Sequence, residues 1–166
     1  MNSISKNSLS LAGEFAVLSQ LALRGYDANM TLGNTKSVDI LVSMPELNRM
    51  FKLEVKTTFN RKPTNSKTWG ITFSWIMNKK HENIIDSNLF YCFVNLGARD
   101  NPNRYFIVPS QVVADYVQQS HQAWLKMDKT NKDNPMRQIR IALDQKTIAV
   151  PAPFADKYEN NWGFKK

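Results

Sequence analysis

The sequence predicts an α/β fold, a mixed β-sheet flanked by helices, and three features carry that prediction. LAGEFAVLSQLALR, residues 11–24, spaces its apolar side chains as a helix does. SVDILVS (37–43) and MFKLEVKTT (50–58) alternate with period two on either side of a segment with turn chemistry at Pro45 and Asn48. LFYCFVNL, Leu89–Leu96, is a continuous apolar run of the kind found in a central strand covered on both faces. The resulting order is a helix, about three strands, a helical connection, two strands and a second helix, which packs as an α/β sandwich.

In the first helix, steps of 100° from Leu11 gather Phe15, Leu18 and Ala22 around it, with Leu21 and Val17 to one side. Glu14 falls at about −60°, between Leu18 and Leu21 and therefore within the apolar arc. A carboxylate among apolar neighbours needs a partner or a cation. Asn7 or Ser8 is the expected N-cap, and Gly25 the expected stop.

The two alternating segments read as a hairpin. A turn centred between Glu46 and Leu47 sets Asp39 opposite Glu54, with side chains about 5 Å apart on one face. Lys56, two residues on, shares that face, while Val38, Ile40, Val42, Leu53 and Val55 take the other. Opposed carboxylates repel unless a proton or cation lies between them. Such a set suits Mg²⁺, which takes a few hard oxygen ligands and leaves positions for water and phosphate.

The rest of the chain bounds the partners. Its 166 residues suit one domain, and 42% hydrophobic content is ordinary for a folded chain. A formal charge of +8 suits a polyanion. The single cysteine, Cys92, excludes an intrachain disulfide framework and reads as core. MNSISKNSLS lacks an apolar targeting core, and no run of 18 apolar residues occurs, so a cytoplasmic chain with no membrane partner is expected. Arg61, Lys62, Lys67, Lys79 and Lys80 lie in a stretch without Asp or Glu and supply five of the eight net charges, which makes them candidate phosphate contacts. Lys36, just before Asp39, is another. Trp69, Phe73 and Trp75, interleaved with these cations, are expected in the core, with ITFSW as a strand. Tyr26–Thr31, Arg104–Val108 and Gln138–Leu143 read as further strands, the last at an edge, and a helix starts at Pro109-Ser110. Lys126–Asn134 reads as a loop, and Phe154, Tyr158 and Trp162 as a short amphipathic helix docking on the core. His81 and His121 match no zinc spacing and are read as surface or structural residues.

Glu14 in a first helix, Asp39 in a strand and Glu54-Val55-Lys56 in the next, set in GEFAVLSQLALRGYDANMTLGNTKSVDILV and LEVKTT, resemble the PD-(D/E)XK nuclease superfamily. The likeness is to its small, mostly uncharacterised bacterial members, which also resemble junction resolvases and the cores of restriction enzymes. It covers roughly residues 10–60, and Val38 stands where the family name has Pro. It implies an αβββαβ restriction-endonuclease-like core at about 8–127, a C-terminal extension at about 128–166, and one domain over 1–166. It implies Mg²⁺ or Mn²⁺ held by Asp39, Glu54 and the Val55 carbonyl, with Glu14 acting on the metal or its water. Lys56 would orient or activate the attacking water and stabilise charge. The implied activity is phosphodiester hydrolysis in nucleic acid, DNA before RNA, and a two-fold dimer would supply two sites for two strands. Two other classes stay open: an inactive nucleic-acid-binding scaffold, and an immunity- or antitoxin-like protein-interaction module whose acidic partner explains the basic strip.

Overall fold

The computed structural model describes residues 4–31, 38–45, 48–98, 101–144 and 150–166. Its element order is α1 (Lys6–Ala22), β1 (Asp27–Met30), β2 (Ile40–Met44), β3 (Arg49–Phe59), β4 (Thr64–Ser66), β5 (Gly70–Asn78), a 3₁₀ helix (Lys79–Asn83), β6 (Leu89–Leu96), β7 (Arg104–Pro109), α2 (Ser110–Met127), β8 (Met136–Ala142) and α3 (Ala155–Tyr158). Strands β1-β2-β3-β6-β7 form a five-stranded sheet, antiparallel except for the parallel pair β3–β6. A smaller antiparallel sheet, β4-β5-β8, lies in a second layer. The fold is thus α/β, with a mixed sheet flanked by helices, as the sequence predicts.

The pairing of β2 with β3 follows from hydrophobic patterning. Ile40 opposes Leu53, Val42 opposes Phe51 and Met44 opposes Arg49, the register of a turn centred between Glu46 and Leu47. Those two residues lie outside the described ones, as does the expected turn at Gly33-Asn34. A one-residue slip would turn Ile40, Val42, Leu53 and Val55, all buried, out of the core.

The link between β3 and β6 corrects an expectation. In place of a helical connection, the chain builds β4, β5 and the 3₁₀ helix. The reason is local: Phe73, Trp75 and Met77 alternate with period two and point inward together, a strand pattern that a helix would scatter round its circumference. Phe73 and Trp75 are core residues, as expected, and Trp75 Nε1–H donates to the Val94 carbonyl at 3.2 Å.

Two apolar clusters sandwich the main sheet. On one side Val17 and Leu21 of α1 pack on Leu53, Val55, Phe90, Cys92 and Val94. On the other, Tyr91, Phe93 and Phe106 meet β5, β8, and Val113, Tyr116 and Val117 of α2. Strand β6 feeds alternate side chains to each, hence its unbroken apolar lettering. Trp124 of α2 is only partly buried and stacks on His121. The C-terminal segment crosses the β7 edge: Ala155 and Tyr158 join one cluster, Trp162 and Phe164 the other. It covers an otherwise open strand edge. Among the described residues no helix is long and apolar enough to cross a membrane.

Helix α1 begins earlier than expected, capped by Ser5, whose Oγ accepts the Ser8 N–H at 3.0 Å. Its buried line is Gly13, Val17 and Leu21, while Leu11 and Phe15, at the centre of the expected apolar arc, are 46% and 54% exposed. Gly13 decides this, because a Cβ there would stand 1.8 Å from Thr57 Oγ1 on β3. Only a bare backbone can approach that closely. Gly13→Ala is expected to lower stability by about 1–3 kcal/mol in urea unfolding, despite its better helix propensity. The loss should shrink when Thr57→Ala is combined with it; an equal loss in both backgrounds would show that Thr57 is not what the new methyl meets.

Candidate active site

Strand β2 begins only at Ile40, opposite Leu53, while β3 runs on to Phe59. Asp39 occupies the gap this leaves. Its N–H donates to the Leu53 carbonyl at 2.7 Å, and its own carbonyl accepts the Thr31 N–H at 2.9 Å. Its Oδ2 accepts the Val55 N–H at 2.6 Å, so the side chain stands in for the next rung of the ladder. In an extended strand the N–H and C=O of one residue face the same way. The Val55 carbonyl therefore opens on the same side as the Asp39 carboxylate.

The Asp39 carboxyl is held above the ordinary aspartate range, chiefly by burial. The Val55 N–H opposes that rise, the charge of Glu14 adds to it, Lys56 opposes it and Glu54 adds again. The four residues picked out from the sequence thus stand within electrostatic reach of one another. Glu14 is half-buried on α1, next to the Gly13 contact, and accepts from Ser10 Oγ at 3.1 Å.

Glu54 is 3% exposed, on the β3 face turned toward the second layer, and sits level with Tyr91 of β6. Its Oε1 takes the Lys56 ammonium at 2.6 Å and His81 Nε2 at 3.3 Å. Its Oε2 is buried and has no hydrogen-bond partner among the described residues. Burial would raise this carboxyl, but the His81 hydrogen bond, followed by the charge and hydrogen bond of Lys56, outweighs it and lowers the pKa to about 2. The Tyr91 phenol is pushed far above its ordinary value by burial, then by the Glu54 charge and by its hydroxyl facing that carboxylate, although neither the hydroxyl nor Oε2 meets a partner in full hydrogen-bonding geometry among the described residues.

His81 is the member of the cluster that sequence reading did not place there. It is 3% exposed and approaches Glu54 from the 3₁₀ helix. A usable signal was present in Asn78-Lys79-Lys80-His81: a cap residue followed three positions later by a side chain that can return to the cap.

The basic candidates divide. Arg61 lines a hollow of about 440 Å³ with Lys6, Lys56, Trp75 and Ile76, and among the described residues no carboxylate lines it. Asn95 pins the Arg61 backbone, accepting its N–H at 3.0 Å and donating to its carbonyl at 2.9 Å. Lys62, Lys67 and Lys80 are exposed, and the Lys79 ammonium lies 2.8 Å from Asp133. Lys36 lies outside the described residues. Among the described residues no three His, Cys, Asp or Glu side chains converge closely enough to enclose a cation by themselves.

The architecture is a nuclease-like α/β fold. It is shared with the bacterial homing endonuclease I-Ssp6803I, at a TM-score of 0.54 over 97% of this chain and 91% of that one, with 14% sequence identity. That likeness is one of fold. No protein family and no curated protein matches the sequence.

Asp39→Ala should leave the Val55 N–H without its acceptor and speed its hydrogen exchange, at a cost of about 1–3 kcal/mol. Asp39→Asn, which keeps an acceptor oxygen, should leave that amide slow. Unchanged exchange at Val55 in Asp39→Ala would rule out the side chain as a rung of the ladder.

Proposed function

We propose that the chain is an endonuclease that hydrolyses phosphodiester bonds in nucleic acid at the Asp39–Glu54–Lys56 cluster, with Mg²⁺ or Mn²⁺ as cofactor. The observation that carries this reading is the bare, buried Oε2 of Glu54. A buried carboxylate oxygen with no donor is costly, and a cation would satisfy it. The raised Asp39 carboxyl points the same way, since burial and two neighbouring negative charges favour its neutral form until positive charge arrives. The shared fold with a homing endonuclease supports the same class of chemistry.

The donors present fit such an ion. Glu54 Oε2, the Asp39 carboxylate and the Val55 carbonyl would hold it, leaving its other positions to water and substrate. When bound, the cation supplies positive charge to a phosphoryl oxygen and makes a water more acidic. Lys56 is tethered to Glu54 Oε1 at 2.6 Å, so its ammonium is held beside the reacting phosphate, where it offsets the charge that develops there. Glu14 adds a third negative charge at the rim, within reach of Asp39. Lys6 and Arg61, lining the hollow next to Lys56, take the flanking phosphates. DNA is the first substrate class to test.

Asp39→Ala and Lys56→Ala are each expected to abolish cleavage of DNA while the chain stays folded. Calorimetry with Mn²⁺ should show one site in the wild type and none in Asp39→Ala. Full activity in either variant would remove that residue from the chemistry. Replacing Lys6 and Arg61 together by Ala should flatten the dependence of log K on log salt by about 2 in duplex binding. An unchanged slope would place the substrate elsewhere on the surface.

A further inference from the structure

We infer that His81 is a positioning residue for the nuclease centre: its Nε2–H holds Glu54 Oε1, so that Oε2 stays aimed, bare, at the cation. The inference rests on the nuclease reading above and adds a residue that belongs to none of the implied ligands.

Local structure brings His81 to this role. Strand β5 ends at Asn78, and the chain turns into the 3₁₀ helix through a reciprocal cap. Asn78 Oδ1 accepts the Lys80 N–H at 3.0 Å, and the Asn78 N–H points back at His81 Nδ1, also at 3.0 Å. In this motif the imidazole does what a glutamate does in an ordinary capping box. Accepting a backbone N–H leaves Nδ1 unprotonated in the neutral ring, so the ring proton sits on Nε2. Nε2 is the atom 3.3 Å from Glu54 Oε1. The Asn78 carbonyl, 2.8 Å from Nδ1, accepts from it when Nδ1 carries a proton, as it does in the cation, in which Nε2 is again a donor. Either form presents a proton to the carboxylate. The remaining neutral tautomer would set a lone pair against an anion.

Packing then fixes the ring. His81 lies edge-on to Tyr91, with centroids 5.7 Å apart, and is 3% exposed. Lys56, two residues along β3 from Glu54, reaches the same oxygen. Two donors on Oε1, and none in hydrogen-bonding geometry on Oε2 among the described residues, polarise one carboxylate into a clamped end and a free end. A lysine alone would not achieve this, because its long side chain is partly exposed and can follow either oxygen.

The test compares wild type, His81→Leu and His81→Gln for Mn²⁺ binding by calorimetry and for thermal midpoint. Leu removes the donor; Gln keeps an amide N–H at a reach similar to Nε2. Expected is a 10–100-fold weaker Mn²⁺ affinity in folded His81→Leu, the range seen when a ligand loses its supporting partner, with recovery toward wild type in His81→Gln. A merely structural role predicts lower midpoints with equal affinities, and that result would overturn the inference. A second measurement needs no variant: ¹⁵N NMR of wild-type His81 should show the proton on Nε2 and a shift of that signal on adding Mg²⁺. A proton found on Nδ1 alone, or a signal indifferent to Mg²⁺ in a chain that binds it, would equally overturn the inference. If the wild type binds no Mn²⁺ and cuts no DNA, the nuclease reading itself fails and takes this inference with it. If the wild type binds and His81→Leu binds as well, only the role of His81 is lost.

Discussion

The burial of the Glu54 carboxylate is the constraint on which the rest of the arrangement depends. Taking an ionised carboxyl out of water costs several kcal/mol unless partners replace the lost hydration. Lys56 is available because a strand returns to the same face every second residue. The other partner must come from the second layer, and this gives the unusual crossover a purpose. A helix laid between β3 and β6 would cover the sheet. Strands β4 and β5 with a single 3₁₀ turn cover it too, through Phe73, Trp75 and Met77, and also deliver His81 beneath Glu54. The bond from Trp75 to the Val94 carbonyl ties the two layers together close to where this happens.

Asp39 meets a related requirement in the plane of the sheet. Beyond Ile40 the β2 side of β3 has no strand to pair with, and Val55 would be left with an open donor. A short acidic side chain closes it at 2.6 Å and remains part of the sheet's edge. The end of the β2–β3 ladder therefore sets where the carboxylate stands. On the far face, the Gly13–Thr57 contact sets the height of α1 above β3, and with it how near Glu14 comes to Asp39. Sheet pairing, side-chain capping and helix packing converge on a few residues of one strand.

How legible each part was follows from the range of the forces involved. The register of β2 on β3 could be read because Ile40, Val42, Leu53 and Val55 tolerate only one alignment. The doubly covered β6 could be read because both of its faces are apolar. The buried line of α1 could not: apolar residues spread around most of its circumference, so hydrophobicity alone does not choose a direction, and the choice falls to a glycine and to a threonine 44 positions away. In the crossover the strand ITFSW could be read, but not its pairing with β8, which makes a second sheet where a helix is expected. His81 was legible as a capping residue in Asn78-Lys79-Lys80-His81, but, like Gly13's contact, not as a partner of another element. Its significance is a meeting with a residue 27 positions earlier, and a lone histidine carries no spacing to announce that.

Several of the chain's departures from good packing practice lie around this centre. Glu54 Oε2 is buried without a donor, Thr57 Oγ1 likewise, and the backbone of α1 touches β3 at Gly13. A sequence selected only for stability would place an apolar residue at position 54, leave Lys56 in water and dispense with His81, since a well-packed apolar group commonly equals or betters a buried ion pair. The two donors on Oε1 make sense only if the charge must stay in place. They lower the carboxyl's pKa to about 2 and leave the second oxygen unclaimed. An ion pair built for stability alone would satisfy both oxygens; one that satisfies a single oxygen, in a pocket too dry for that to be cheap, keeps the other for a ligand.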